Sequence, residues 1–128
     1  MRSKLNGIVV DDQDKALKFY TEVLGFKLKN DIPMGEFRWI TVLAADGSGA
    51  EVALEPNANP ASKVFQAALL EQGIPFTAFE VDDVDAEFER LTKMGVVFTK
   101  DPMDAGGTRF AILSDTCGNL IQLYKPPE

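Results

Sequence analysis

VDDQD at residues 10–14 returns as VDDVD at residues 81–85, 71 positions later. At the same offset Tyr20-Thr21 meets Leu91-Thr92, and Arg38-Trp39-Ile40 meets Arg109-Phe110-Ala111. Leu24-Gly25-Phe26 meets Met94-Gly95-Val96 after a slip of one residue. Self-similarity over this length marks two copies of one supersecondary unit. Reading one copy therefore reads most of the chain.

In the first copy, the apolar run Ile8-Val9-Val10 suits a strand. Asp11 or Asp12 then caps a helix through its side-chain oxygen, and acidic residues suit the positive end of the helix dipole. That role explains the aspartates better than calcium binding does. Ala16, Leu17, Phe19, Tyr20, Val23 and Leu24 follow at helical spacing, and Gly25 ends the helix by admitting a left-handed backbone. Strands are expected over 26–28, 37–43 and 51–55, with the turn DGSG (46–49) between the last two. The second copy repeats the order: a strand over 76–81, a helix capped by Asp82 or Asp83 and ended by Gly95, then strands over 96–99, 108–114 and 120–124. DAGG (104–107) reads as a flexible loop, and DTCGN (115–119) reads as a turn in which Cys117 is exposed.

Between the copies, Pro56, Asn57, Asn59 and Pro60 mark an irregular connection. Val64, Phe65, Ala68 and Leu69 predict a linker helix over about 60–72 that stops at Gly73. The expected fold class is α+β. Two tandem βαβββ units, about 1–56 and 74–128, form a concave mixed sheet with helices on its outer face, in one domain spanning 1–128. The opposite sheet face carries Trp39 and Phe110 at equivalent positions. It is expected to line a cavity or to bury itself against another chain.

The chain contains no histidine and one cysteine. A histidine-based triad, a histidine-ligated zinc or iron site and an internal disulfide are thereby excluded, and Cys117 lacks the usual activating partner of a nucleophile. A carboxylate-only magnesium or calcium site stays allowed. The net charge of −7 opposes binding to nucleic acid, whose phosphates it would repel. No apolar run is long enough to cross a bilayer, and the N-terminus lacks the apolar segment of a signal peptide, so no membrane partner and a cytoplasmic location are expected.

The segments VDDQDKALKFYTEVLGFKL, VDDVDAEFERLTKMGV and DTCGNLIQLYKP resemble, in this order, the vicinal oxygen chelate superfamily. That group includes glyoxalases, extradiol dioxygenases and fosfomycin- and bleomycin-resistance proteins. The resemblance covers nearly the whole chain. In the metalloenzymes of that group, it implies two metal ligands per copy, one early in the first strand and one in the last strand. The early positions fall on Leu5 and Phe76, or on Gly7 and Ala78 after a shift of two residues. None of these side chains binds a metal. The last-strand position of the second copy falls on Gln122, where glutamate is usual. In the first copy, counting back from Pro56 gives Val52, with Glu51 and Glu55 on the opposite strand face. A one-residue register change would bring in one of these carboxylates, so at best one carboxylate and one amide converge, too few donors for a divalent cation, and no metal and no cofactor are expected.

The candidate ligand-binding residues are Trp39, Glu55, Phe76, Arg109 and Gln122. Trp39 offers a stacking wall for a planar ligand, or else belongs to the core or a dimer interface. Glu55 ends its strand either at a cavity mouth, where it can act as a base, or as a solvated strand end. Arg38 and Arg109 need a carboxylate if they are buried, from ligand or protein. Gln122 lines a pocket or is a core amide satisfied by backbone. The expected function is metal-independent binding of a small organic ligand in a concave pocket between the units of a homodimeric protein resembling bleomycin-resistance proteins. The alternatives are a metal-dependent lyase, isomerase or dioxygenase using Glu51, Glu55 and Gln122, a metal-free enzyme using Glu55, and a dimerisation module.

Overall fold

The structure, a computed structural model, describes residues 1–128. The chain forms two compact units, Met1–Phe65 and Gln66–Glu128. The first runs β1 (Leu5–Val10), α1 (Gln13–Lys18), a π-helical turn (Phe19–Val23), β2 (Lys27–Met34), β3 (Phe37–Leu43) and β4 (Glu51–Pro56). Helix α2 (Pro60–Gln72) carries the chain across the boundary. The second unit continues with β5 (Thr77–Glu80), α3 (Val84–Lys93), β6 (Phe98–Ala105), β7 (Thr108–Ser114) and β8 (Leu120–Lys125). The fold is α+β, built of tandem βαβββ units.

Each unit holds a four-stranded mixed sheet, ordered β1-β4-β3-β2 in the first and β5-β8-β7-β6 in the second. The first strand of each copy pairs parallel with the last, and the remaining pairings are antiparallel. Strand alternation sends one set of side chains toward the helix. In the first unit Ile8, Val10, Ile40, Val42, Val52 and Leu54 are buried, as are Ala16, Phe19 and Tyr20 of the helical segment. In the second, Ala111, Leu113, Ile121 and Leu123 are buried with Val84 and Leu91 of α3. Each such aliphatic side chain contributes roughly 1.5–3 kcal/mol by leaving water.

The expected caps are present. Asp12 accepts a hydrogen bond from Lys15 N at 3.0 Å, and Asp83 accepts one from Ala86 N at 2.9 Å. The one-residue slip between the copies also has a structural form. Helix α3 closes regularly, with Val96 N donating to Leu91 O at 3.0 Å and Gly95 in the left-handed region at φ 89°. In the first copy Leu24 N reaches back to Phe19 O at 3.0 Å and Phe26 N to Tyr20 O at 2.9 Å, one residue wider. The extra residue is absorbed as a π-helical turn, so the regular α-helix is shorter than its periodicity predicts.

Strands β2 and β6 run further than the sequence reading allowed. Expected to stop near Leu28 and Thr99, they continue through Pro33 and Pro102. Both are edge strands, where a residue without an N–H forfeits no ladder hydrogen bond on its open side. DAGG is the tight end of the β6–β7 hairpin, with Gly106 and Gly107 at positive φ.

Two glutamines stitch elements together. The Gln13 amide donates to Arg38 O (2.6 Å) and Leu54 O (2.8 Å), and its oxygen accepts from Arg38 N (3.0 Å), which ties the start of α1 to β3 and β4. Its counterpart 71 residues on, Val84, fills the same role by apolar burial. In the second unit Gln66 of α2 donates to Cys117 O and Asn119 Oδ1, each at 3.1 Å. Asp115, fully buried, accepts from Cys117 N (2.7 Å), Asn119 N (3.0 Å) and Asn119 Nδ2 (2.8 Å). The DTCGN turn is therefore an interior polar network, and Cys117 is buried within it rather than exposed.

Candidate functional site

The face of each sheet turned away from its helix carries most of the predicted residues. In the first unit these are Gly7 and Val9 on β1, Ala53 and Glu55 on β4, Trp39 and Thr41 on β3, and Asn30 and Ile32 on β2. Ile32 pairs with Trp39, Thr41 with Ala53, Gly7 with Ala53, and Val9 with Glu55. Continuing the β3–β4 register by two residues sets Trp39 opposite Glu55. Trp39 is half-buried, and its indole N–H has no hydrogen-bond partner in the chain.

Two carboxylates share this face and differ in their neighbours. Glu51 accepts from Lys29 Nζ at 3.0 Å and is also hydrogen-bonded by Thr41, so its pKa lies below the usual glutamate value, first because of the Lys29 hydrogen bond. Thr41 in turn accepts from Asn30 Nδ2 at 2.9 Å. Glu55 is exposed at its strand end and has no hydrogen-bond or ion-pair partner in the chain. Its carboxylate lies over Gly7, at the place where a β-carbon on residue 7 would stand. A glycine inside a strand pattern signals such a close approach.

In the second unit Gln122 sits between Ala78 of β5 and Ile112 of β7, and Tyr124 between Glu80 and Phe110. Phe76 lies just before β5, its N–H donating to Leu120 O at 2.8 Å, and strand alternation puts it on the Ala78 face. Lys100 Nζ stands 6.0 Å from the Phe110 ring centre. Gln122 is half-buried and its amide has no partner in the chain. No buried side-chain polar atom of the protein is unpaired, so this amide reaches the surface. Gln122 is not a core amide satisfied by backbone.

The registers also fix which residue of the first copy matches Gln122. Gly7 and Ala78 are 71 positions apart; Gly7 pairs with Ala53 and Ala78 with Gln122. The counterpart is Ala53, not Val52. Counting back from the prolines failed because the last strands end differently, and Val52 faces the helix, 8% exposed. The positions at which the resemblance implies metal ligands thus hold Leu5 or Gly7 and Ala53 in one unit, and Phe76 or Ala78 and Gln122 in the other. The first unit's positions supply no donor of their own, only the Glu55 carboxylate lying over Gly7, and the second unit's supply the neutral Gln122 amide. No three Asp, Glu or Cys side chains gather anywhere to hold an ion. These residues do not fit a divalent cation, which requires several oxygen or nitrogen donors.

Arg109 does not join the candidate residues. It points to the helix side, donating to Asp85 of α3 from Nε (3.1 Å) and Nη2 (2.7 Å), with Asp104 at 3.6 Å. Its carboxylate partner comes from the protein. The Arg109 guanidinium holds Asp85 below the usual aspartate range, chiefly through these hydrogen bonds. Arg38, its counterpart, is bound likewise by Asp31, at 3.0 and 2.7 Å, and by Asp14. The repeated aspartates therefore divide their work: Asp12 and Asp83 cap, while Asp14 and Asp85 pair with the arginines.

With this geometry in place, the chain is identified as a member of the Glyoxalase/Bleomycin resistance protein/Dioxygenase superfamily, whose family model matches residues 5–123. It is 48% identical over 126 residues to the uncharacterized protein YurT of Bacillus subtilis, covering 98% of this chain and 99% of that protein. It is 33% identical over 125 residues to a probable lactoylglutathione lyase of Synechocystis sp., covering 92% and 90%. Among solved structures it is similar to TnmS3, an antibiotic binding protein from Streptomyces sp. CB03234, with TM-score 0.79, 31% identity and coverage of 98% and 96%. No helix is long and apolar enough to cross a membrane.

Proposed function

We propose that this protein binds a small organic molecule without a metal ion, on the sheet faces turned away from its helices. The observation that carries this reading is the composition of these faces: in the first unit the half-buried Trp39, whose indole N–H has no partner in the chain, beside the exposed Glu55 carboxylate, and in the second unit the half-buried Gln122 amide. Aromatic surface with a few accessible polar groups is the composition of a ligand site rather than of a core. Phe76 adds apolar surface; Arg109, committed to Asp85, does not take part. The likeness to an antibiotic binding protein supports ligand capture. The donor-poor positions at Ala53 and Gln122 support a role without the metal that the lyases of the superfamily resembled here employ. We include self-association as a homodimer in the reading, supported by exposed Ile32, Met34 and Phe37 on the β2–β3 hairpin.

The test has two arms. Elemental analysis of the purified protein is expected to find no stoichiometric transition metal. Thermal-shift screening with planar aromatic compounds is expected to raise the melting temperature, since a ligand that binds only the folded state stabilises it by mass action. One metal per chain, removable with loss of a turnover, would replace the reading with a lyase, isomerase or dioxygenase. A solution mass of one chain would remove the dimer.

A further inference from the structure

We propose that Glu55 is the anchor for a positively charged group of the ligand and Trp39 the stacking surface for its planar part, so that the ligand class is a planar aromatic cation. This rests on the binding reading above and deepens it. Three observations on one sheet face carry it. Glu55 is exposed and has no partner in the chain, so its carboxylate is open to a ligand, whereas Glu51 on the same face is paired with Lys29 and hydrogen-bonded by Thr41. The Glu55 side chain lies over Gly7, and a β-carbon at residue 7 would displace its carboxylate end. Gly7 has no positive φ that would otherwise require glycine. The absent side chain leaves open the space that the Glu55 carboxylate occupies.

The third observation is the neighbour. Strand register sets Trp39, half-buried with a free indole N–H, opposite Glu55. An indole face attracts cations more strongly than the other aromatic rings, and a charge-assisted hydrogen bond to carboxylate is about twice as strong as a neutral one. A flat cation therefore satisfies both residues at once, where a neutral flat molecule satisfies Trp39 only and an anion is repelled by Glu55. The second unit has no equivalent device, since Tyr124 stands where Glu55 does and Ala78 where Gly7 does.

Three tricyclic probes of one shape test the charge requirement: proflavine (cation), acridone (neutral) and acridine-9-carboxylate (anion). Binding is read by calorimetry, and the emission of Trp39, the single tryptophan, localises it. Proflavine is expected to bind at least about tenfold more tightly than acridone, with the anion weakest, and added salt to narrow the gap. Glu55→Gln is expected to erase the preference by weakening proflavine about tenfold while leaving acridone within about twofold. Gly7→Ala keeps the carboxylate in the sequence but moves it, and is expected to reproduce that loss with the melting temperature nearly unchanged. Acridone binding as tightly as proflavine, or a preference that survives Glu55→Gln, overturns the anchor and leaves the binding reading standing. If none of the three binds or alters Trp39 emission, both fall together.

Discussion

Replacing Gly118 by alanine is expected to destabilise the protein through a single identifiable conflict. Gly118 adopts φ 97° inside the buried DTCGN turn, and an added β-carbon would stand 2.7 Å from Gln66 Nε2 and 3.0 Å from its Cδ. Two costs follow. The left-handed backbone costs an L-residue roughly 1–2 kcal/mol. Moving the Gln66 amide breaks its bonds to Cys117 O and Asn119 Oδ1, each worth about 1 kcal/mol. The expected loss is about 3–4 kcal/mol in the native background. With Gln66→Ala already present, the amide is gone and only the backbone cost of about 1–2 kcal/mol remains. A double-mutant cycle by urea denaturation should therefore return a coupling of about 2 kcal/mol. Equal costs of Gly118→Ala in both backgrounds would refute the packing of α2 onto this turn.

Other expectations follow from the same structure. Gln13→Ala, which strips one bridging side chain from Arg38 N, Arg38 O and Leu54 O, is expected to cost about 2–3 kcal/mol by denaturant titration, since the peptide groups it served lose their partners. Asp83→Ala removes the cap on Ala86 N and should cost about 1 kcal/mol in the same assay. Arg109→Gln should leave acridine affinities unchanged, because the guanidinium faces α3; a changed affinity would return Arg109 to the site. Asp31 and Asp85 have pKa values depressed by their arginines, so the folded state binds fewer protons than the unfolded chain near their ordinary value of 3.8. Their stabilising contribution is present above that pH and is lost as pH falls below it. The melting temperature should decline in this acid range, and less steeply in Arg109→Gln.

The local pattern of residues was sufficient for the repeat, the α+β class, an aspartate cap on each repeated helix and the glycine helix stops. These depend on interactions within a few positions of the chain, where spacing and backbone preference act directly. The structure chose Asp12 over Asp11 and Asp83 over Asp82 as the caps. Tertiary structure alone decided which residues share a face. Strand register made Ala53, not Val52, the counterpart of Gln122, because a shift of one residue turns a side chain to the other side of its sheet. Pairing across elements likewise turned Arg109 to Asp85, drew Cys117 into a buried network with Gln66, and laid Glu55 over Gly7. Each of these joins residues more than twenty positions apart, and no local preference encodes such distances.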